Sequence, residues 1–153
     1  MTLSGAVRAD AGYYRTNCLY SAPAVGSPGS TAIHASSNMF TAWADGYVDV
    51  VYGEAVADEW KTPDNALGPV GGSESNVVVL GRGGRMTMTF SGGIGDRPGA
   101  DFAVFENGYD KYFLELAYVE VSSDGIHFVR FPNYSDTPAP VGAFGIMFTE
   151  YIW

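Results

Sequence analysis

Five oxygen-bearing side chains fall within fifteen residues of this chain: Asp101, Glu106, Asn107, Asp110 and Glu115. Calcium takes about six to eight oxygen ligands, and carboxylates, a side-chain amide and backbone carbonyls supply them. The stretch is therefore a candidate calcium site, although it has no D-x-[DN]-x-[DN]-G loop of the EF-hand kind. The same residues also suit a plainer role, with Asp101 and Asn107 stabilising turns and Glu106 and Asp110 in water. A second chemistry is glycoside hydrolysis, which needs two carboxylates roughly 5–10 Å apart across a cleft. Glu106, Glu115 and Glu120 are the candidates for such a pair, though almost any acidic β-protein offers one. Trp60, Tyr109 and Tyr112, in expected loops, are candidate ligand-binding residues. Aromatic faces stack on sugars, while filling the core is their commoner use.

Other chemistries find little support. One cysteine, Cys18, allows neither an intramolecular disulfide nor a thiolate zinc site. Two histidines far apart in sequence, His34 and His127, do not suggest a transition-metal site. Neither a G-x-S-x-G elbow nor a phosphate-binding G-x-x-x-x-G-K-[ST] loop occurs. The glycines of Leu80–Arg85 (LGRGGR) join two expected strands instead of opening a helix, which weakens a phosphate-cradle reading. Asn133-Tyr134-Ser135 fits a glycosylation sequon, meaningful only in a eukaryotic secretory setting. A net charge of −9 repels phosphate backbones, so a nucleic-acid partner is not expected. Cations and neutral sugars remain compatible with that charge, which also serves solubility alone.

The elements that must position these residues read as β-structure. From Gly99 to Phe131 the chain alternates apolar and polar residues in three runs, broken at Asn107-Gly108 and Asp124-Gly125. That pattern predicts three consecutive antiparallel strands joined by tight turns. On a regular strand Glu115 shares a face with Phe113, Ala117, Val119 and Val121. A carboxylate there must be neutralised, paired or metal-bound, unless a bulge near Leu116-Ala117 turns it outward. The strand IHFVRF is expected to leave His127 in solvent. Upstream, YVDVVYGE from Gly46, VVVL (77–80) and RMTMTF (85–90) read as strands, and IMFTEYIW as a last one. The segment DEWKTPDNALGPVGGSES reads as a long surface loop in which Trp60 and Leu67 fold back on the core.

Residues 1–42 read as an irregular N-terminal arm with one short strand near Tyr13 and Tyr14. Short strands at about ten-residue spacing then predict an all-β fold over 43–153, an antiparallel β-sandwich of the jelly-roll kind. A chain of 153 residues suits one domain, and its 20 glycines suit many turns. No run of about 18 apolar residues is present, so no transmembrane segment is expected.

Several motifs carry a resemblance. Trp60, Pro63, Ala66-Leu67-Gly68-Pro69, Val79-Leu80-Gly81 with Gly83-Gly84, Asp101-Phe102, Val104-Phe105-Glu106-Asn107, Glu115-Leu116-Ala117 and the VEVSSDG run before Phe128 and Phe131-Pro132 together resemble a largely uncharacterised group of bacterial cell-surface proteins. The resemblance covers about residues 43–145. It implies an exported, cell-surface location, with an export signal before the domain and a sorting tail after it. It also implies ion binding or structural pairing for Asp101, Glu106, Asn107 and Glu115, and it assigns no catalytic residue. The VEVSSDG-x-x-F strand-turn-strand is similar to discoidin-like (galactose-binding-like) sandwiches, in which that hairpin belongs to the scaffold. The first residues lack the basic-then-apolar pattern of a secretory signal. Related domains continue for several strands beyond IMFTEYIW, so the domain is expected to be incomplete at its C-terminus. The resulting expectation is a non-enzymatic surface module that binds a carbohydrate or another surface component, with calcium holding its loops. A carbohydrate hydrolase and a purely structural spacer are the alternatives.

Overall fold

The computed structural model describes residues 4–8, 33–71, 73, 75–105 and 117–131. It is built of strands and irregular chain with little helix. The strands are β1 (Ser4–Arg8), β2 (Gly46–Val51), β3 (Arg85–Thr89), β4 (Tyr118–Ser122) and β5 (Val129–Arg130). They form a five-stranded sheet in the order β2-β3-β1-β4-β5, with every neighbouring pair antiparallel. Two short 3₁₀ turns, Asp58–Trp60 and Pro63–Ala66, interrupt the long connection between β2 and β3.

The strands expected at Gly46, in RMTMTF, in YVEVS and in IHFVRF are present, the last shortened to two residues. The expected run at 77–80 is not a strand. Its backbone is used instead to tie down the preceding loop, with Val79 N–H donating to the Trp60 carbonyl at 3.1 Å and Leu80 O accepting from Gly53 N–H at 2.8 Å. Residues 101–105 likewise form no ladder among the described residues. The strand at Ser4–Arg8 stands where an irregular arm was expected. Ser, Gly and Ala are weak strand formers, and the two flanking strands override that local preference. Tyr13, Tyr14, Asn107-Gly108 and the final IMFTEYIW lie outside the described residues.

Register assigns the faces. Val48, Thr87, Glu120 and Arg130 stand on one side of the sheet, and Tyr47, Met86, Met88, Val119 and Val121 on the other. Burial occurs on both sides of the centre. Met86 is buried on the apolar face, while Thr87, Tyr118 and Ser122 are buried on the opposite one. The margins are open, with Val48 49% and Val129 69% exposed.

Two backbone features shape the β2–β3 half. Between the pairs Val48↔Thr87 and Val51↔Arg85, β2 advances three residues while β3 advances two, which is a β-bulge. Asp49, inside the bulge, has φ 51°. Aspartate tolerates this left-handed conformation better than most residues because its short polar side chain bonds locally. Beyond the bulge, Gly53 and Gly84 let two backbones touch. A side chain on Gly53 would strike the Arg82 carbonyl, and one on Gly84 would strike that of Leu80. The glycines of LGRGGR thus serve chain-to-chain contact, closed by a turn in which Gly84 N–H donates to Gly81 O at 3.0 Å.

The loop from residue 52 to 71 is fixed by side chains. Thr62 Oγ1 and Asn65 Nδ2 both donate to the Val77 carbonyl, at 2.7 and 3.0 Å. Tyr47 Oη donates to Asp64 Oδ1 at 2.9 Å, bringing the second 3₁₀ turn onto β2. Asp45 accepts the Ser91 N–H with both carboxylate oxygens, at 3.1 and 2.9 Å, and so clips the end of the β2–β3 pair. Those bonds hold the Asp45 carboxyl below the usual carboxylate range.

The bulge makes a direct prediction. Asp49→Val places a β-branched residue at positive φ and should cost about 1–2 kcal/mol in urea unfolding. Asp49→Gly should leave the midpoint at or above that of the parent, and equal loss in both variants would show that the backbone conformation is not the cause.

Candidate functional site

An open cleft of about 380 Å³ lies beside the β4–β5 end of the sheet. Ala100, Asp101, Phe102 and Val104 line one side, and Val119 of β4 with Phe131 just after β5 line the other. The sequence builds the first wall as a self-closed loop. Gly99 takes φ 109°, and the backbone N–H of Arg97 donates to Asp101 Oδ1 at 2.9 Å. The second wall is set by the sheet, where Phe131 N–H donates to Val119 O at 3.0 Å.

Aromatic contacts fasten both flanks of the 101–105 segment. Phe102 meets Phe131 with ring centroids 5.7 Å apart and planes tilted by 56°. Phe105 packs edge-on to Phe40 at 5.5 Å and lies 5.8 Å from Trp43, and Phe40 and Trp43 are themselves 5.2 Å apart. Offset and tilted ring pairs at these distances add to plain burial. The segment therefore holds position through its side chains without a ladder of its own.

Asp101 carries charge into the cleft. Its Oδ2 has no hydrogen-bond partner among the described residues, and no ion pair joins it to Arg97. A side chain placed on Gly95 would come within 3.9 Å of Arg97 Nε, so the Arg97 side chain runs beside Gly95. Of the described residues lining the cleft, Asp101 is the one charged group.

The neighbouring hairpin is held by three polar side chains. Ser122, buried at the end of β4, donates through Oγ to Asp124 Oδ1 at 2.9 Å and accepts from Gly125 N–H at 2.9 Å. Asp124 Oδ1 also accepts the N–H groups of Ile126 and His127, each at 2.8 Å. His127 Nδ1 lies 2.7 Å from Asp124 Oδ2, so Nδ1 carries the hydrogen that the carboxylate accepts. Gly125 supplies φ 73° at the turn. His127 and these bonds, ahead of the contribution from Ser122, hold the Asp124 carboxyl far below the usual carboxylate range. The expected tight turn at Asp124-Gly125 is present as this longer loop, and His127 is exposed to solvent as expected.

On the opposite face, Arg130 clamps β5 to β4. Its Nε and Nη2 both lie 2.8 Å from Glu120 Oε1, and its guanidinium sits 4.1 Å over the Tyr118 ring. Glu120, a candidate for a hydrolytic pair, is thus engaged in a cross-strand ion pair.

The structure separates the other candidates. Trp60 is half-buried in the first 3₁₀ turn and is not among the residues lining the cleft. Glu106, Asn107, Tyr109, Asp110, Tyr112 and Glu115 lie outside the described residues, so Asp101 alone represents the calcium set there. Among the described residues no group of three His, Cys, Asp or Glu side chains is placed to hold a metal ion. Phe102, Val104, Val119 and Phe131 were not read as site residues. Alternation does not reveal them, because residues 101–105 form no ladder among the described residues and Phe102 meets Phe131 through tertiary placement. No helix among the described residues is long and apolar enough to cross a membrane. The chain matches no family model, no curated protein and no solved structure.

The hairpin predicts a pH dependence whose sign follows from Asp124. Its carboxyl is depressed on folding from an ordinary value of 3.8, so its stabilisation is complete above that value and is lost as pH falls below it. Denaturant unfolding between roughly pH 2 and 6 should therefore show a steeper acid loss for the parent than for Asp124→Asn. Equal slopes would show that the carboxylate makes no such contribution.

Proposed function

We propose that this chain is a non-enzymatic binding module of an extracellular or cell-surface protein, and that it takes a carbohydrate or another surface component in the cleft beside β4 and β5. The cleft itself carries this reading. Phe102 and Phe131, tilted against each other, line an open groove together with Val119 and Asp101. A sugar ring offers apolar C–H faces to aromatic rings and hydroxyl donors to a carboxylate, so the two surfaces match in kind. The cell-surface assignment is supported by the resemblance carried by VFEN, ELA and VEVSSDG.

The proposed architecture is a jelly-roll-like sandwich. Its support is the burial of Met86 on one face of the sheet and of Thr87, Tyr118 and Ser122 on the other. A sheet shielded on both faces requires a further layer against at least one of them. In the same reading calcium draws together Asp101, Glu106, Asn107, Asp110 and Glu115. A hydrolytic pair would have to come from Glu106 and Glu115, because Glu120 is held by Arg130.

Two measurements test the proposal. On a glycan array the chain should bind at least one class of neutral or cationic glycan, and Phe131→Ala should weaken that binding by about tenfold, the equivalent of one aromatic contact. Binding to no glycan would remove carbohydrate from the reading. Separately, calcium should raise the thermal midpoint relative to chelator, because a ligand that binds the native state stabilises it. An unchanged midpoint in a cooperatively unfolding protein would dismiss calcium.

A further inference from the structure

Resting on the carbohydrate reading above, we infer that the cleft selects amino sugars bearing a free, protonated amine over neutral and acidic sugars. Asp101 is the one charged side chain among the described residues that line the cleft. Asp101 accepts the Arg97 backbone N–H through Oδ1, and Oδ2 has no hydrogen-bond partner among the described residues. Arg97, four residues away, is the nearest cation in sequence, and no ion pair joins it to Asp101. Asp101 thus lines the groove with no ion pair among the described residues.

The surroundings favour a ligand that carries a cationic group. The cleft is open, with Val104 53% and Phe131 44% exposed, so the contact is made at the surface and weakens with salt. An ammonium against Asp101 forms a charge-assisted hydrogen bond, about twice as strong as one from a neutral hydroxyl. Aromatic rings attract cations as well, and Phe102 and Phe131 line the same cleft. A uronic acid meets the reverse situation, repelled by Asp101 locally and by the chain's net charge of −9 at longer range. An N-acetylated sugar keeps its ring faces but has no positive charge.

The test is isothermal titration in chelator, so that no calcium competes for Asp101, using glucosamine oligomers and N-acetylglucosamine oligomers of equal length. The deacetylated oligomer should bind about tenfold tighter or more, with an advantage that shrinks as salt rises. Asp101→Asn keeps an oxygen acceptor for Arg97 N–H, so the loop is preserved while the charge is removed. That variant should bind the two oligomers alike, and its thermal midpoint, matched to the parent, checks the fold. Equal binding of both oligomers by the parent, or a preference that survives Asp101→Asn, overturns the charge selection and leaves the carbohydrate reading standing. Binding of neutral glycans alone has the same meaning. Binding of no glycan overturns both.

Discussion

The pairing of Ser4–Arg8 with two strands at once is the constraint on which the sheet depends. β2 pairs with β3, and β5 pairs with β4, but among the described strands only β1 links the two halves. Its backbone meets Arg85–Met88 on one side and Tyr118–Ser122 on the other. Without it, the facing backbone groups of β3 and β4 would lose their partners, and an unpaired buried amide or carbonyl costs about 1–3 kcal/mol. The cleft inherits this dependence. Val119 and Phe131 belong to the β4–β5 half, and the strand connecting that half to the rest is the one with the weakest local preference for extended structure.

Many polar side chains of this sheet and its loops hold backbone in place. Asp45, Thr62, Asn65, Ser122 and Asp124 each accept from or donate to main-chain groups of loops that have no ladder. This arrangement lets glycine-rich connections take one path despite their large conformational entropy. Asp101 likewise fixes its loop through one carboxylate oxygen, and it is the one of these residues that lines the groove. A side chain pinned in that way presents its charge in a fixed place, which a freely rotating surface aspartate cannot do.

Much of the sheet was legible because alternation reports a face. Gly46–Val51, Arg85–Thr89 and Tyr118–Ser122 each show it, and Asp124-Gly125 marked the hairpin through the need for positive φ. β1 was not legible, since its five residues contain no β-branched run and its stability comes from partners about 80 and 110 positions away. The run at 77–80 misled for the opposite reason: three valines and a leucine favour a strand, yet the Thr62, Asn65 and Gly53 contacts occupy its carbonyls. For the site, the acidic residues drew attention as ligand types, whereas the cleft's shape comes from Phe102 and Phe131. Their meeting depends on tertiary placement, which period-two reading does not supply. The metal and aromatic candidates between 106 and 115 fall outside the described residues.

The placement of β1 also bears on the order in which the chain can fold during synthesis. Arg8 leaves the ribosome 110 residues before Tyr118, the first residue of its β4 partner. Until then β1 has β3 at most to pair with, and the sheet cannot be completed from the N-terminus onward. Closure over so long a separation is entropically slow, and it leaves strand edges exposed while translation proceeds. A nascent chain of this design depends on being kept apart from other open edges until its later strands emerge.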